Sequence, residues 1–231
     1  MNTTNASASW DPTWEAIFSS RAWGKYPPEP VIREIMRKFS RVPDRKAVRV
    51  LDLGSGPGAN TWFLAREGFN VAAIDGSPSG IAQNRARLIG EQLDADFQVG
   101  DFTERLPWDD DSFDAVLDNA SAYANPMRAI IRCFAEVKRV LKPGGVFVSL
   151  SFTDRTWGYG LGPQGEDYGS VCAVSEGPLH GMGYVQFLSR ADVDRLFAGF
   201  ADRAIERASY TMGGQQHLIE QWIVTCRKPG A

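Results

Sequence analysis

Apolar positions along this chain change their period several times, and each change marks an expected element. Trp14, Ile17 and Phe18 fall on one face of a short helix that Asp11-Pro12 opens with a capping side chain and a proline. After Pro27-Pro28-Glu29-Pro30, the residues Ile32, Ile35, Met36 and Phe39 recur at three- and four-residue spacing and predict a second helix. From residue 48 the pattern becomes short apolar runs bounded by glycine. The runs at 48–53, 71–74, 97–99, 113–117 and 146–152 read as strands. Helices are expected between them at 59–67, from Ser77-Pro78 to about Leu93, and at 126–141, the last ended by Lys142-Pro143-Gly144-Gly145.

Alternating apolar strands and helices predict a doubly wound α/β fold, a mostly parallel sheet with helices on both faces. A glycine-rich, aromatic stretch follows at 154–186 and reads as a long irregular flap. Ser189 with Asp192 then opens another helix through Phe200. The runs 204–210 and 218–226, joined by Met212-Gly213-Gly214, predict a terminal hairpin and so an antiparallel last strand. The 231 residues suit one domain: a helical cap at 1–45, a core at 46–153, an insert at 154–187, and a final helix and hairpin at 188–231.

Composition narrows the function classes. Net charge is −3, so no global field attracts nucleic acid or anionic membrane. A local basic stretch, Arg33, Arg37, Lys38, Arg41, Arg45, Lys46 and Arg49, reads as a solvated face, with an RNA-facing strip as its alternative. Three scattered cysteines and two histidines make neither a disulfide framework nor a metal centre, so no metal is expected. Residues 1–10 are polar and look frayed, without a signal-peptide pattern, and no apolar run reaches membrane-spanning length. A cytoplasmic protein is the expectation, with its oligomeric state left open.

The candidate chemistry starts at Asp52-Leu53-Gly54-Ser55-Gly56-Pro57-Gly58-Ala59, between a strand and a helix. A ligand is expected there, outside the carboxyl end of the strand. Gly54, Ser55, Gly56 and Gly58 form the loop, but the glycines alone also fit a dinucleotide fingerprint. Asp52 would repel a diphosphate and welcome an ammonium, and Pro57 removes one donor from any phosphate cradle. Both features favour S-adenosylmethionine (SAM) over NAD. Asp75, followed by Gly76, closes the second strand, where an acid can accept ribose hydroxyls. Asp101 is a candidate for the adenine amino group, with Phe102 as an apolar wall; a structural turn is the other reading of Asp101.

These motifs together resemble the class I SAM-dependent methyltransferase family. Asp52-x-Gly54-x-Gly56-x-Gly58 resembles its first motif, Asp75 its ribose-binding acid and Gly100-Asp101 its adenine motif. Leu106-Pro107-Trp108 with Asp111-Ser112-Phe113-Asp114 resembles the loop into its fourth strand, and Glu136 to Gly145 the approach to its fifth. The resemblance covers roughly 48–153 and implies seven strands in the order 3-2-1-4-5-7-6, with strand 7 antiparallel. It also implies SAM as the cofactor.

The acceptor side is less determined. The fourth strand runs into Leu117-Asp118-Asn119-Ala120-Ser121-Ala122-Tyr123 and lacks the Pro-Pro-aromatic element of nucleobase methyltransferases. Asn119 is expected near the methionine end of the cofactor, and Asp118, as a candidate catalytic residue, or Tyr123 near the acceptor, with a helix-capping cluster as the alternative. Trp23 and Tyr26 read as a ring-bearing loop that closes over cofactor or substrate. In the flap, Tyr159 is a substrate-side candidate. His180 is a candidate base and substrate contact, against an exposed histidine without a role. Methyl transfer to a nitrogen or oxygen of a small-molecule metabolite is the leading function. RNA or protein methylation, an NAD(P)-linked oxidoreductase and a non-catalytic SAM sensor are the competing readings.

Overall fold

The fold is a computed structural model and describes residues 10–230; the start read as frayed lies, except for Trp10, outside the described residues. Two helices lead, α1 (Thr13–Ser20) and α2 (Glu29–Phe39). Then β1 (Arg49–Leu53), α3 (Ala59–Arg66), β2 (Asn70–Asp75), α4 (Pro78–Gly90), β3 (Asp96–Val99) and β4 (Phe113–Asn119) alternate as the apolar runs require. The chain continues through α5 (Met127–Val140), β5 (Leu141–Phe152), β6 (Ser170–Cys172), β7 (Tyr184–Gln186), α6 (Arg190–Leu196), β8 (Ala201–Met212) and β9 (His217–Arg227).

The main sheet has seven strands in the order β3-β2-β1-β4-β5-β9-β8. Strands β1 to β5 pair in parallel, and β9 runs antiparallel to both β5 and β8. With β6 and β7 set aside in a small sheet of their own, this is the doubly wound arrangement expected from the sequence. Both faces are buried, which explains the near-continuous apolar strands. One apolar layer joins α5 and α6 to the sheet around Phe134, Val137, Phe147 and Phe197. The other joins α2, α3 and α4 through Ile35, Leu64, Leu88 and Val148.

Expected start signals operate. Ser77 accepts the Gly80 amide at 2.9 Å, and Ser189 and Asp192 exchange the two bonds of a capping box. Several boundaries differ from the sequence reading, three of them with a clear local cause. Helix α4 stops at Gly90, after which Gln92 takes φ 58° and turns the chain. Helix α6 stops at Leu196, because Phe197 and Phe200 turn into the core, and β8 begins at Ala201. Residues 142–145 form no separate turn: Leu141 pairs with Phe113 and Val146 with Ala115, so the intervening residues bulge out of β5.

The insert differs most. Read as irregular, it contains the antiparallel pair β6–β7. It also has its own apolar cluster of Val171, Val174, Leu179, Val185 and Phe187, which closes on Tyr123 of the main body. Small apolar residues scattered among glycines carry no helical or strand period, yet they suffice to bury a compact flap.

Candidate active site

The turn from β1 to α3 forms the floor of a cleft of about 440 Å³. The hydrogen bonds of this turn are all internal. The Gly54 and Ser55 amides donate to the Ile74 carbonyl at 2.9 and 3.0 Å, and the Gly58 amide donates to the Ser55 carbonyl at 3.0 Å. The Gly56 amide donates to Asp75 Oδ2 at 2.8 Å. Pro57 has no amide hydrogen. Every backbone donor from 54 to 58 is therefore committed, and the turn offers none to a phosphate. Glycine is required at 58, where φ is 91° and an added methyl would lie 2.1 Å from Asn84 Oδ1.

Asp75 lines the cleft and is fastened by the Gly56 amide and by the Ser77 amide at 2.8 Å. Burial raises its pKa to about 6, against the pull of those two amides. Asp52 is placed differently from the expectation. Its fully buried carboxylate turns under the loop, where it accepts Thr61 Oγ1 at 2.6 Å and Asn60 Nδ2 at 3.3 Å. It does not line the cleft. Asn60 does, and its Oδ1 accepts Asn119 Nδ2 at 3.2 Å, so Asp52 reaches the cleft wall through two asparagines. Burial pushes the Asp52 carboxyl up to about 6 as well.

At the end of β4, Asn119 and Tyr123 line the cleft and Asp118 does not. Asp118 accepts the Ser121 and Ala122 amides at 3.0 Å each and Ser149 Oγ at 2.8 Å. The expected catalytic role is corrected here: the carboxylate is enclosed, with burial raising its pKa to about 6, and it shapes the turn that presents Tyr123. Asp101 is likewise a turn residue, accepting the amide and hydroxyl of Thr103 at 2.8 and 2.7 Å, and it is absent from the cleft wall, whereas Phe102 forms part of it.

The roof comes from α1, the loop after it and the flap. Glu15 ties α1 to the start of α4 by accepting both the Ser77 and Ser79 hydroxyls, which lowers its pKa. Trp14 and Phe18 face down from α1, and Trp23 joins them. Asp11 accepts the Thr13 amide at 2.9 Å and, across the cleft mouth, the Tyr184 amide at 3.1 Å. Trp10 lies over Gly76: a methyl on that glycine would come within 2.1 Å of Trp10 Nε1. Leu179 and Met182 of the flap and Phe152 of β5 complete the apolar part.

The structure thus brings together Trp23, Gly54, Ser55, Gly56, Gly58, Asp75, Phe102, Asn119 and Tyr123 of the expected residues. It does not bring in Tyr26, Tyr159 or His180. Tyr26 is 72% exposed in an outer groove, edge-on to Trp62 beneath Arg87. Tyr159 packs its ring edge on Phe187 outside the cleft. His180 is exposed and outside the cleft wall, although Leu179 and Met182 line it, which favours the reading of an exposed histidine over the candidate base. The sequence reading missed Asp11, Asn60 and Phe152. Asn60 carries a usable signal, a polar residue opening the buried face of α3. The basic stretch is largely spent on ion pairs: Arg33 and Arg37 with Glu34, Arg45 with Glu67, Arg49 with Asp96.

Charge in the cleft is one-sided. Among the described residues its wall includes Asp11 and Asp75 and no lysine, arginine or histidine. No helix among the described residues is long and apolar enough to cross a membrane.

Comparison with known proteins agrees with this arrangement. Residues 50–145 match the model of a methyltransferase domain. The demethylmenaquinone methyltransferase of Clavibacter sepedonicus is 38% identical over 107 residues, covering 46% of this chain and 41% of that protein. Phthiotriol/phenolphthiotriol dimycocerosates methyltransferase 1 of Mycobacterium ulcerans is 33% identical over 183 residues, covering 72% of this chain and 64% of that protein. The chain spans about two fifths of the length of the first curated relatives it matches. Among solved structures, a SAM-dependent methyltransferase from Methanosarcina mazei superposes with a TM-score of 0.66 at 22% identity, covering 79% of this chain and 93% of that one. Sequence relatives and sheet topology converge: residues 50–145 match a methyltransferase domain, and the seven-stranded sheet has the fold of SAM-dependent methyltransferases.

Proposed function

We propose that this chain transfers a methyl group from SAM to a nitrogen or oxygen of a small-molecule acceptor held under the roof of the cleft. The observation that carries the reading is the loop from 54 to 58, whose amide donors are all engaged internally, beside a cleft wall whose charges are carboxylates. That lining fits a cationic nucleoside better than a diphosphate, which draws on free loop amides or cations.

When bound, SAM would supply an electrophilic methyl: the acceptor lone pair bonds to that carbon as its bond to sulfur breaks, and neutral S-adenosylhomocysteine leaves. The chain's own residues bind and orient. Asp75 offers a fixed carboxylate at the end of β2, Phe102 an apolar wall, and Asn119 a side chain braced by Asn60. The glycines allow close approach of backbone to ligand. Trp14, Phe18 and Trp23 exclude water above. Holding the partners at near-attack distance supplies about 7–11 kcal/mol, so no obligatory general base is required. A proton lost by the acceptor passes to solvent at the cleft mouth.

RNA as acceptor has less support, since the arginines of the basic stretch are largely paired with carboxylates. The relatives named for demethylmenaquinone and for phthiotriol dimycocerosates also point to small acceptors. Incubating the protein with methyl-tritiated SAM and a cell extract, then separating small molecules from protein and RNA, tests this reading. Label is expected in the small-molecule fraction; label confined to protein or RNA overturns it.

A further inference from the structure

The roof side of the cleft is built from two aromatic walls. On one, the rings of Trp14, Phe18 and Trp23 pack against each other with centroids 5.5 to 6.0 Å apart. On the other, Tyr123 meets Phe152 edge-on at 5.1 Å. Planar rings are the ligands that such walls hold best, because stacked and edge-on contacts use the whole face of the guest.

One polar hydrogen in these walls is open to the cleft. Tyr123 lines it, and the Tyr123 hydroxyl donates to no described residue, although the residue is only 4% exposed. Trp14 Nε1 also has no acceptor, but it is fully enclosed and out of a ligand's reach. Burial beside the Asp118 carboxylate raises the Tyr123 pKa, so the phenol stays a donor and does not act as a base. A phenol left open on a ligand-binding wall asks for an oxygen acceptor on the ligand.

The charges exclude other classes. An anionic acceptor would meet Asp11 and Asp75 with no cation in the described wall to offset them. An ammonium would suit the carboxylates but would bring more donors to a wall whose open phenol is itself a donor. On the reading that the cleft binds SAM and a small acceptor, we propose that the acceptor is an uncharged, planar aromatic molecule carrying a hydroxyl or carbonyl oxygen. It lies between the α1 indole wall and the Tyr123–Phe152 wall, and Tyr123 donates a hydrogen bond to that oxygen.

The test uses the full chain saturated with S-adenosylhomocysteine (SAH), confirmed first by calorimetry. Four probes are then titrated at neutral pH by calorimetry and saturation-transfer NMR: 2-naphthol, 2-naphthoate, 2-naphthylmethylammonium and trans-2-decalol. The naphthol is expected to bind, with the naphthoate and the saturated decalol each weaker by about tenfold or more, and the ammonium no tighter. Tyr123→Phe is expected to weaken 2-naphthol by about fivefold and leave naphthalene unchanged. Naphthoate, decalol or the ammonium binding as tightly as naphthol overturns the proposal, as does a Tyr123→Phe protein that keeps the full preference for naphthol over naphthalene. SAH binding without naphthol binding overturns this inference alone; failure of SAH to bind removes the proposed function and this inference with it.

Discussion

The floor of the cleft and its roof are built on different principles. On the floor, residues 52 to 61 and Asp75 satisfy one another: amides 54 to 58 have partners, and Asp52 has Thr61 and Asn60. On the roof, large rings from α1, the loop after it and β5 meet Leu179 and Met182 of the flap across long stretches of chain, and Trp14 Nε1 stays unpaired. The floor is thus rigid before any ligand arrives, whereas the roof is shaped by packing and left with one open donor, the Tyr123 hydroxyl. A closed hydrogen-bond network fixes one ligand geometry, while an apolar wall accepts a class of guests. That division suits a shared cofactor below and a distinctive acceptor above.

The sharpest break of this division is Asp75→Ala. It strands the buried Gly56 and Ser77 amides and removes the floor's carboxylate. SAM affinity measured by calorimetry is expected to fall by about tenfold or more. A variant that binds SAM as before would show that the floor does not set cofactor affinity. Next in size is Gly58→Ala, which forces a methyl into buried Asn84 at positive φ. Thermal unfolding is expected to reveal a loss of roughly 3 kcal/mol. An unchanged melting temperature would mean that the loop relaxes freely.

A pH series separates the two properties of the floor. Asp52, Asp75 and Asp118 have folded pKa values of about 6, raised by burial from 3.8. Their contribution to the stability of the free protein is therefore present below pH 3.8 and is lost as pH rises through about 6. Affinity for cationic SAM is expected to move the other way, strengthening through the same window as Asp75 ionises. Denaturant midpoints and calorimetry over this range check both signs; parallel trends would contradict the account. Asp118→Asn tests position against chemistry. It keeps one acceptor oxygen for the Ser121 and Ala122 amides, so turnover should persist within a few-fold, with a flatter stability profile. Abolished turnover in a folded variant would restore a catalytic role. The smallest effect is expected for His180→Ala, because the side chain is exposed and outside the cleft wall: turnover within about twofold of the parent.

The sequence made the floor legible because its determinants are local. A strand, a glycine turn and an acid at the end of the next strand lie within thirty residues of one another, and their order alone located Gly54, Gly56, Gly58 and Asp75. Direction was less legible than position. A carboxylate at a strand end reads the same whether it faces a ligand or the amides of the following turn, and so the sequence leaves both readings open for Asp118 and Asp101. Asp52 was recognised, but its turning under the loop depends on Thr61 and Asn60, whose buried placement follows from the packing of α3. The roof was least legible. Asp11 meets the Tyr184 amide across 173 positions, a contact no local pattern announces. His180 sits among glycines, where no periodicity tells which side chain points inward.

The most direct test of the central claim is a paired calorimetric titration of the wild-type chain with SAM and with NAD. A loop without free amides in an acid-lined cleft should bind SAM about a hundredfold or more tighter than NAD. NAD bound as tightly as SAM would contradict it.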